Sequence, residues 1–405
     1  MKIRSITYFC NPGWPLDETV LRQAGEFLAD AKSAYEAAGY EVQTMRLATI
    51  PFPQLLNGKI SETPKLAETF SKLLPEIGIA YAALGPALTD FPESYAVIPE
   101  AIAASQNIFF SGVMADKTRG INMSALRACA EVIVQCAPLD PNGFANLNFA
   151  ALANVPAGAP FFPAAYHGED TPAFAIATES ADLAVSAFAH AKTLEEGRSA
   201  LITEITKHGQ ALARIANELS NNRIFDLRFG GIDFSLAPFP DDKHSLGNAV
   251  ERMGVPKIGL HGSLAAAALL TEAVDRADFL HTGFSGFMQP VLEDSVLANR
   301  AAEGTLTVKD LLLYSTVCGT GLDTVPLPGD TTAEELVPLL LDLSALALRL
   351  DKPLTARLMP VPGKKAGDAT NFDFGFFANS KVMALEAEAL SQPIRGDETI
   401  QIEKR

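Results

Sequence analysis

The chain has 405 residues, 48% of them hydrophobic and 20% charged, so it can bury a large core and is globular rather than disordered. Its net charge of −16 and pI of about 4.9 disfavour a nucleic-acid partner, because phosphate backbones need a basic surface and no Lys/Arg cluster overrides the overall sign. A membrane span is also disfavoured: the most apolar stretch, Leu336 to Leu350, contains Asp342 and Arg349.

The first element reads as a strand, Ile3 to Cys10, ending at Asn11-Pro12-Gly13. Asp17 then caps a helix running to about Gly39, with glycine at the expected stop. Glu41–Leu47 reads as a second strand, Ile77–Leu84 as a third and Ile108–Val113 as a fourth, with helices at Pro92–Ser105 and Met123–Cys136. Apolar strands alternating with helices argue for an α/β fold with mostly parallel pairing. Phe144–Val155, Ala173–Thr178 and Phe225–Leu236 read as extended. Between them, Leu201, Ile205, Leu212, Ile215 and Leu219 fall at helical spacing on a long helix, Leu194 to Ser220. That stripe suits packing on a sheet; a partner-binding helix is the alternative. Further helices fit Gly262–Asp275, Leu292–Ala302, Val308–Thr316 and Ala333–Leu350, and a last strand fits Leu354–Val361. With no repeat and no linker, one large domain is expected, with an N-terminal α/β subdomain over 1–115, signature loops over 116–380 and a peripheral tail over 381–405.

The four cysteines, Cys10, Cys129, Cys136 and Cys318, form no Cys-x-x-Cys pair, and the start of the chain has too short an apolar run for a signal peptide. Both features suit a reducing cytoplasm. The P-loop, the dinucleotide-binding glycine fingerprint, the His-Glu-x-x-His helix and the Gly-x-Ser-x-Gly elbow are all missing, and six histidines are scattered.

Two segments share one turn pattern. Val317–Thr331 and Met359–Asp368 each carry Pro-x-Pro-Gly followed by an aspartate, Asp330 in the first and Asp368 in the second. Paired prolines hold a chain extended, and the glycine allows a sharp bend beyond them. Such stiff arms displaying carboxylates suit a metal or polar-ligand site. Asp323 lies in the first segment with no helix start directly after it, whereas Asp330 precedes Thr332 and Glu335, a capping-box pair. Cys318 precedes Gly319-Thr320-Gly321 and could face a cleft crossed by bare backbone; a small buried residue is the plainer alternative. Lys364 and Lys365 could hold an anion or simply be solvated. In the run Asp226 to Pro240, Arg228 and Asp233 sit among apolar residues, as ligand contacts at a strand end or as a structural ion pair. In Pro160 to His167, aromatics between prolines could line an apolar pocket with Tyr166 as a polar handle, or pack in the core, with His167 on the surface.

The blocks GTGLDTVPLPGDT, FGGIDFSLAPFP, FFPAAY and VPGKKAGD resemble the signature of domain-of-unknown-function family 711 (UPF family 0210), over about Gly120 to Asp368. The resemblance implies a large α/β barrel like that of pyruvate formate-lyase-like glycyl radical enzymes, and a gene neighbourhood with a small ACT-domain protein. It implies no glycyl radical: the C-terminal region reads Phe372-Asp373-Phe374-Gly375-Phe376-Phe377 instead of an Arg-Val-x-Gly-Tyr-like loop. The chain also lacks the Gly-Gly-Leu-Leu-Gly expected after GKKAGD.

The expectation is therefore a cytoplasmic small-molecule-binding enzyme. Asp233, Asp323, Asp330 and Asp368 would converge on a divalent cation, Mg²⁺ or Ca²⁺. Cys318 and Asp323 would act in catalysis, and Arg228, Asp233, Gly319, Gly321, Lys364 and Lys365 would hold the ligand. The rival is a non-catalytic regulatory or amino-acid-binding protein working with an ACT-domain partner. A homo-oligomer is compatible with either.

Overall fold

A computed structural model describes residues 1–169, 171–221 and 227–404. Its centre is one large sheet. The strands are β1 (Lys2–Cys10), β2 (Val42–Thr49), β3 (Tyr81–Ala87), β4 (Ile108–Asp116), β5 (Gly120–Asn122), β6 (Phe149–Ala153), β7 (Ala173–Glu179), β8 (Arg228–Asp233), β9 (Gly321–Pro328), β10 (Leu354–Val361) and β11 (Thr399–Ile400). They run in the order β8-β7-β1-β2-β3-β4-β6-β10-β9, with β5 and β11 as a side branch on β4. β1 through β4 and β6 are parallel to one another, as are β7 with β8 and β9 with β10. The groups meet antiparallel at β1–β7 and β6–β10. Residues 1–115 thus share their sheet with later strands on both sides.

The expected parallel α/β class is present. Strands such as β6 and β10 are buried along their whole length, so both faces must be apolar, and helices cover them. The helix Glu18–Ala37 starts where Asp17 accepts the Thr19 amide at 2.9 Å, and it meets the helix Leu194–Ser220 through Tyr35, whose hydroxyl donates to the Leu212 carbonyl at 3.2 Å. Met123–Cys136 and Ala333–Arg349 pack together, and Cys129 and Cys136 face the core. Thr332 and Glu335 form the expected capping box. Of the run expected to be extended from Phe225, Phe225 and Asp226 lie outside the described residues.

One reading needs correction, and one is met only in part. Gly321–Pro328, read as a stiff loop, is the terminal strand of the sheet. Pro326 and Pro328 offer no N–H to a ladder, so they suit a strand with a partner on one side only, and β9 pairs in a ladder with β10 alone. The expected barrel is not closed by any ladder between β8 and β9 among the described residues. Instead, single bridges join Ile232 to His281 and Asp323 to Pro290, so residues 281–290 lie against both end strands.

Candidate functional site

Side chains from β1, β2, β3, β4, β7, β8 and β10 line one cavity of about 240 Å³. It lies toward the carboxyl ends of β7 and β8 and the amino ends of β1 to β4, where Arg4, Gln43, Tyr81 and Phe109 enter it. Its wall interleaves charged and aromatic side chains, with Arg46 over Phe162 and Arg357 over Phe161.

The charged groups form an arginine–carboxylate chain. Glu293 stands between Arg4 and Arg357: one oxygen pairs with Arg4 Nη2, the other accepts from Arg357 Nη2 at 2.8 Å. Arg357 Nε donates to Asp323 Oδ1 at 2.5 Å, and Arg4 Nη1 lies 3.6 Å from Glu179. Glu293, Asp323 and Glu179 are buried, so their charges need these partners. Burial alone would raise the Glu293 carboxyl, but Arg4 and Arg357 hold it below the usual range. Burial raises Asp323, because its Oδ2 has no donor to offset the loss of water.

Arg46, from β2, is placed differently. Thr44 Oγ1 accepts from its Nε at 2.9 Å, and its guanidinium lies over Phe162 at 5.1 Å and Tyr81 at 5.8 Å. Among the described residues no carboxylate pairs with it and its terminal Nη groups donate to no protein acceptor. Burial, then the like charge of Arg4, push its pKa down to about 9, so it is still charged at neutral pH. One guanidinium edge therefore faces the cavity uncommitted.

The aromatic groups continue from Tyr81 to Phe109 and Phe162, with centroids 5.5 and 5.4 Å apart in edge-to-face contact. Across the mouth lies the segment Phe372–Phe377, folded back by the Phe377 amide donating to the Phe374 carbonyl and by Asn379 bonding Phe372 through both N–H and C=O. Phe374 packs on Phe144 at 4.9 Å, while Phe376 is exposed.

The expected site residues scatter. Asp233 lines the cavity, but both its oxygens are occupied: Ser235 Oγ at 2.6 Å, the Ser285 amide at 2.9 Å and the Phe284 amide at 3.0 Å donate to it. Burial still raises its carboxyl above the usual range. Asp323 joins the arginine chain. Asp330 and Asp368 are exposed beyond the other ends of β9 and β10. Five strand steps from Asp323 to Pro328 span roughly 16 Å, so the four aspartates do not form one cation site. No group of three or more metal-ligating side chains occurs among the described residues.

Cys318 is buried, and burial raises its thiol. Its Sγ accepts from the Gly321 amide at 3.3 Å, and with Gly319 and Lys352 it borders a separate open pocket, apart from the arginine cavity. Gly319 and Gly321 are required by close backbone packing: an added Cβ would lie 2.9 Å from the Phe284 carbonyl and 2.5 Å from the Thr355 carbonyl, respectively. Arg228 is exposed and pairs with Glu169 at 2.7 Å, away from Asp233. Lys365 is exposed; its amide donates to Asp368 at 2.7 Å, and the Lys364 carbonyl accepts from the Gly329 amide at 2.9 Å. The two Pro-x-Pro-Gly turns thus brace each other, and neither lines the arginine cavity. His167, expected on the surface, is buried, whereas Phe161 and Phe162 do line the cavity.

Arg4, Arg46, Glu293 and Arg357 were missed. Their signal was present: a charge inside an otherwise apolar strand or helix start, at Arg46 in VQTMRLAT and Arg357 in LTARLMPV.

The structure therefore defines a mixed α/β protein whose mostly parallel sheet carries a half-open cavity lined by three arginines. The family model described as "Uncharacterised ACR (DUF711)" matches residues 1–379, and the chain belongs to this family, UPF0210. It is similar to a UPF0210 protein of Pyrobaculum aerophilum, 33% identical over 356 residues, covering 82% of this chain and 76% of that one. A UPF0210 protein of Acetivibrio thermocellus is 30% identical over 386 residues, covering 90% and 84%. Another, from Methanopyrus kandleri, is 30% identical over 377 residues, covering 88% and 82%.

Proposed function

We propose that this protein binds a small organic anion in the cavity lined by the arginine chain and the aromatic rings, with Arg46 as the anion's partner. The observation that carries this reading is the uncommitted guanidinium edge of Arg46 at a cavity whose other arginines are already paired. A partly buried guanidinium whose terminal N–H groups meet no protein acceptor among the described residues is costly, and a bidentate carboxylate would relieve that cost. Closure of the sheet into a barrel through residues 281–290 belongs to the same reading. It is supported by the two single bridges and by seven strands lining one space, as the glycyl-radical-enzyme shape would require.

The test is thermal unfolding at neutral pH with simple carboxylates and with amines of matched size. Carboxylates are expected to raise the melting temperature, amines to leave it unchanged, and Arg46→Gln to abolish the effect. A carboxylate shift that survives Arg46→Gln undiminished would sink the reading.

A further inference from the structure

We infer that the ligand of this cavity is a monoanion with a flat apolar body, the aryl carboxylate class. This rests on the anion-binding reading above and narrows it.

The charge comes from counting partners. Arg4 is taken by Glu293 and Glu179, and Arg357 by Glu293 and Asp323. Asp233 is satisfied by neutral donors from Ser235, Phe284 and Ser285. Only Arg46 has terminal guanidinium N–H groups that meet no protein acceptor among the described residues, so the cavity offers one free donor pair, which one carboxylate fills. A dianion such as phosphate would meet Glu293 and Asp233, both on the same wall, without a second free cation. An ammonium group beside the carboxylate would have to compete with the donors already on the Glu293 and Asp233 oxygens.

The body comes from shape. An apolar cavity of about 150 Å³ takes benzene, so 240 Å³ has room for a six-membered ring, a short linker and a carboxylate. It is below the roughly 300 Å³ at which drug-sized pockets begin, so a small ligand fits it best. Beside Arg46, the rings of Tyr81, Phe109 and Phe162 are held at 88° and 66° to their neighbours, so edges and faces alternate along the wall. A planar ring can add a further edge-to-face contact there, at ring separations that the wall already uses. A puckered ring of the same carbon count cannot. Phe374 and Phe376 extend the same surface across the mouth.

The experiment is titration calorimetry of the full chain with phenylacetate, cyclohexylacetate, phenylalanine and inorganic phosphate. Phenylacetate is expected to bind most tightly, about tenfold tighter than cyclohexylacetate, the scale of a well-fitted apolar pocket. Arg46→Gln should weaken phenylacetate roughly 10–100-fold, the loss of a hydrogen-bonded charge partner. Phe109→Leu should weaken phenylacetate more than cyclohexylacetate. Equal binding of the two, with Arg46 dependence intact, overturns the planar class while leaving the anion reading standing. Tighter binding of phosphate or of phenylalanine overturns the class in favour of a dianion or an amino acid. No binding of any of the four, or binding indifferent to Arg46, overturns both.

Discussion

Arg357 donates a 2.5 Å hydrogen bond to one oxygen of Asp323, and the other oxygen of that carboxylate has no partner. The pair is buried, with Arg357 at 6% and Asp323 at 0% exposure, so water cannot replace either member. Arg357→Met is expected to leave both Asp323 and Glu293 short of a cation and to cost about 3–5 kcal/mol. Urea unfolding of the variant checks this; a loss under about 1 kcal/mol would mean the chain of charges rearranges freely.

Glu293 sets an acid limit. Its folded carboxyl is held low by Arg4 and Arg357, whereas an unfolded glutamate titrates near about 4.3. The folded state therefore binds fewer protons, and the contribution is fully present above that unfolded value. It is lost as pH falls through the lower folded value. The stability gap between wild type and Glu293→Gln should be constant from neutral pH down to about 5 and shrink below about 4. Equilibrium unfolding at several pH values measures the gap, and a gap that widens in acid contradicts the assignment.

Arg46 should behave oppositely to Arg357. Having no carboxylate partner, it contributes charge to the cavity without contributing an ion pair. Arg46→Gln is expected to change stability by less than about 1 kcal/mol, or to raise it, since it removes a desolvated charge. A loss comparable to that of Arg357→Met in the same denaturant series would show Arg46 to be structural.

Gly283 is required by Asp233. Its φ is +63°, and a Cβ there would stand 2.2 Å from Asp233 Oδ2, the oxygen that the Phe284 amide binds. Gly283→Ala should cost more than about 1 kcal/mol, combining left-handed strain with a displaced buried carboxylate. Gly363→Ala, at φ +73° with open space around it, isolates the strain alone and should cost less.

Asp294 is the initiation point of two helices. Its carboxylate accepts the amides of Leu246 and Gly247 at the start of Leu246–Arg252, and those of Val296 and Leu297 in Ser295–Glu303. Asp294→Ala removes the cap of Ser295–Glu303, at about 0.5–2 kcal/mol, and leaves the first amides of Leu246–Arg252 with only the Ser245 cap. Circular dichroism during urea unfolding should show an earlier midpoint, with Asp294→Asn intermediate.

Much of the architecture was legible because the strands are buried on both faces and read as apolar runs, and because Asp17, Thr332 and Glu335 announce their helices through side-chain chemistry. β9 was not: its prolines read as a loop, since only the topology reveals that it has one ladder neighbour. The site was half legible. FFPAAY and FGGIDFSLAPFP do deliver Phe161, Phe162 and Asp233 to the cavity, but the conspicuous aspartates after each glycine turn lie outside it. The arginines that matter are single letters in strands far apart in sequence, and only the sheet order makes them neighbours.

The prolines of β9 have a consequence for how copies of this chain meet. The carbonyl of Pro326 is already taken by the Met383 amide at 2.8 Å, so the segment after Ser380 lies along the side of β9 that β10 leaves open. With two amide hydrogens missing from the strand and that acceptor covered, a neighbouring molecule finds little backbone to continue. The stretch read as a peripheral tail is thus a shield against edge-to-edge aggregation, and a chain cut short before Met383 would lose solubility before it lost its fold.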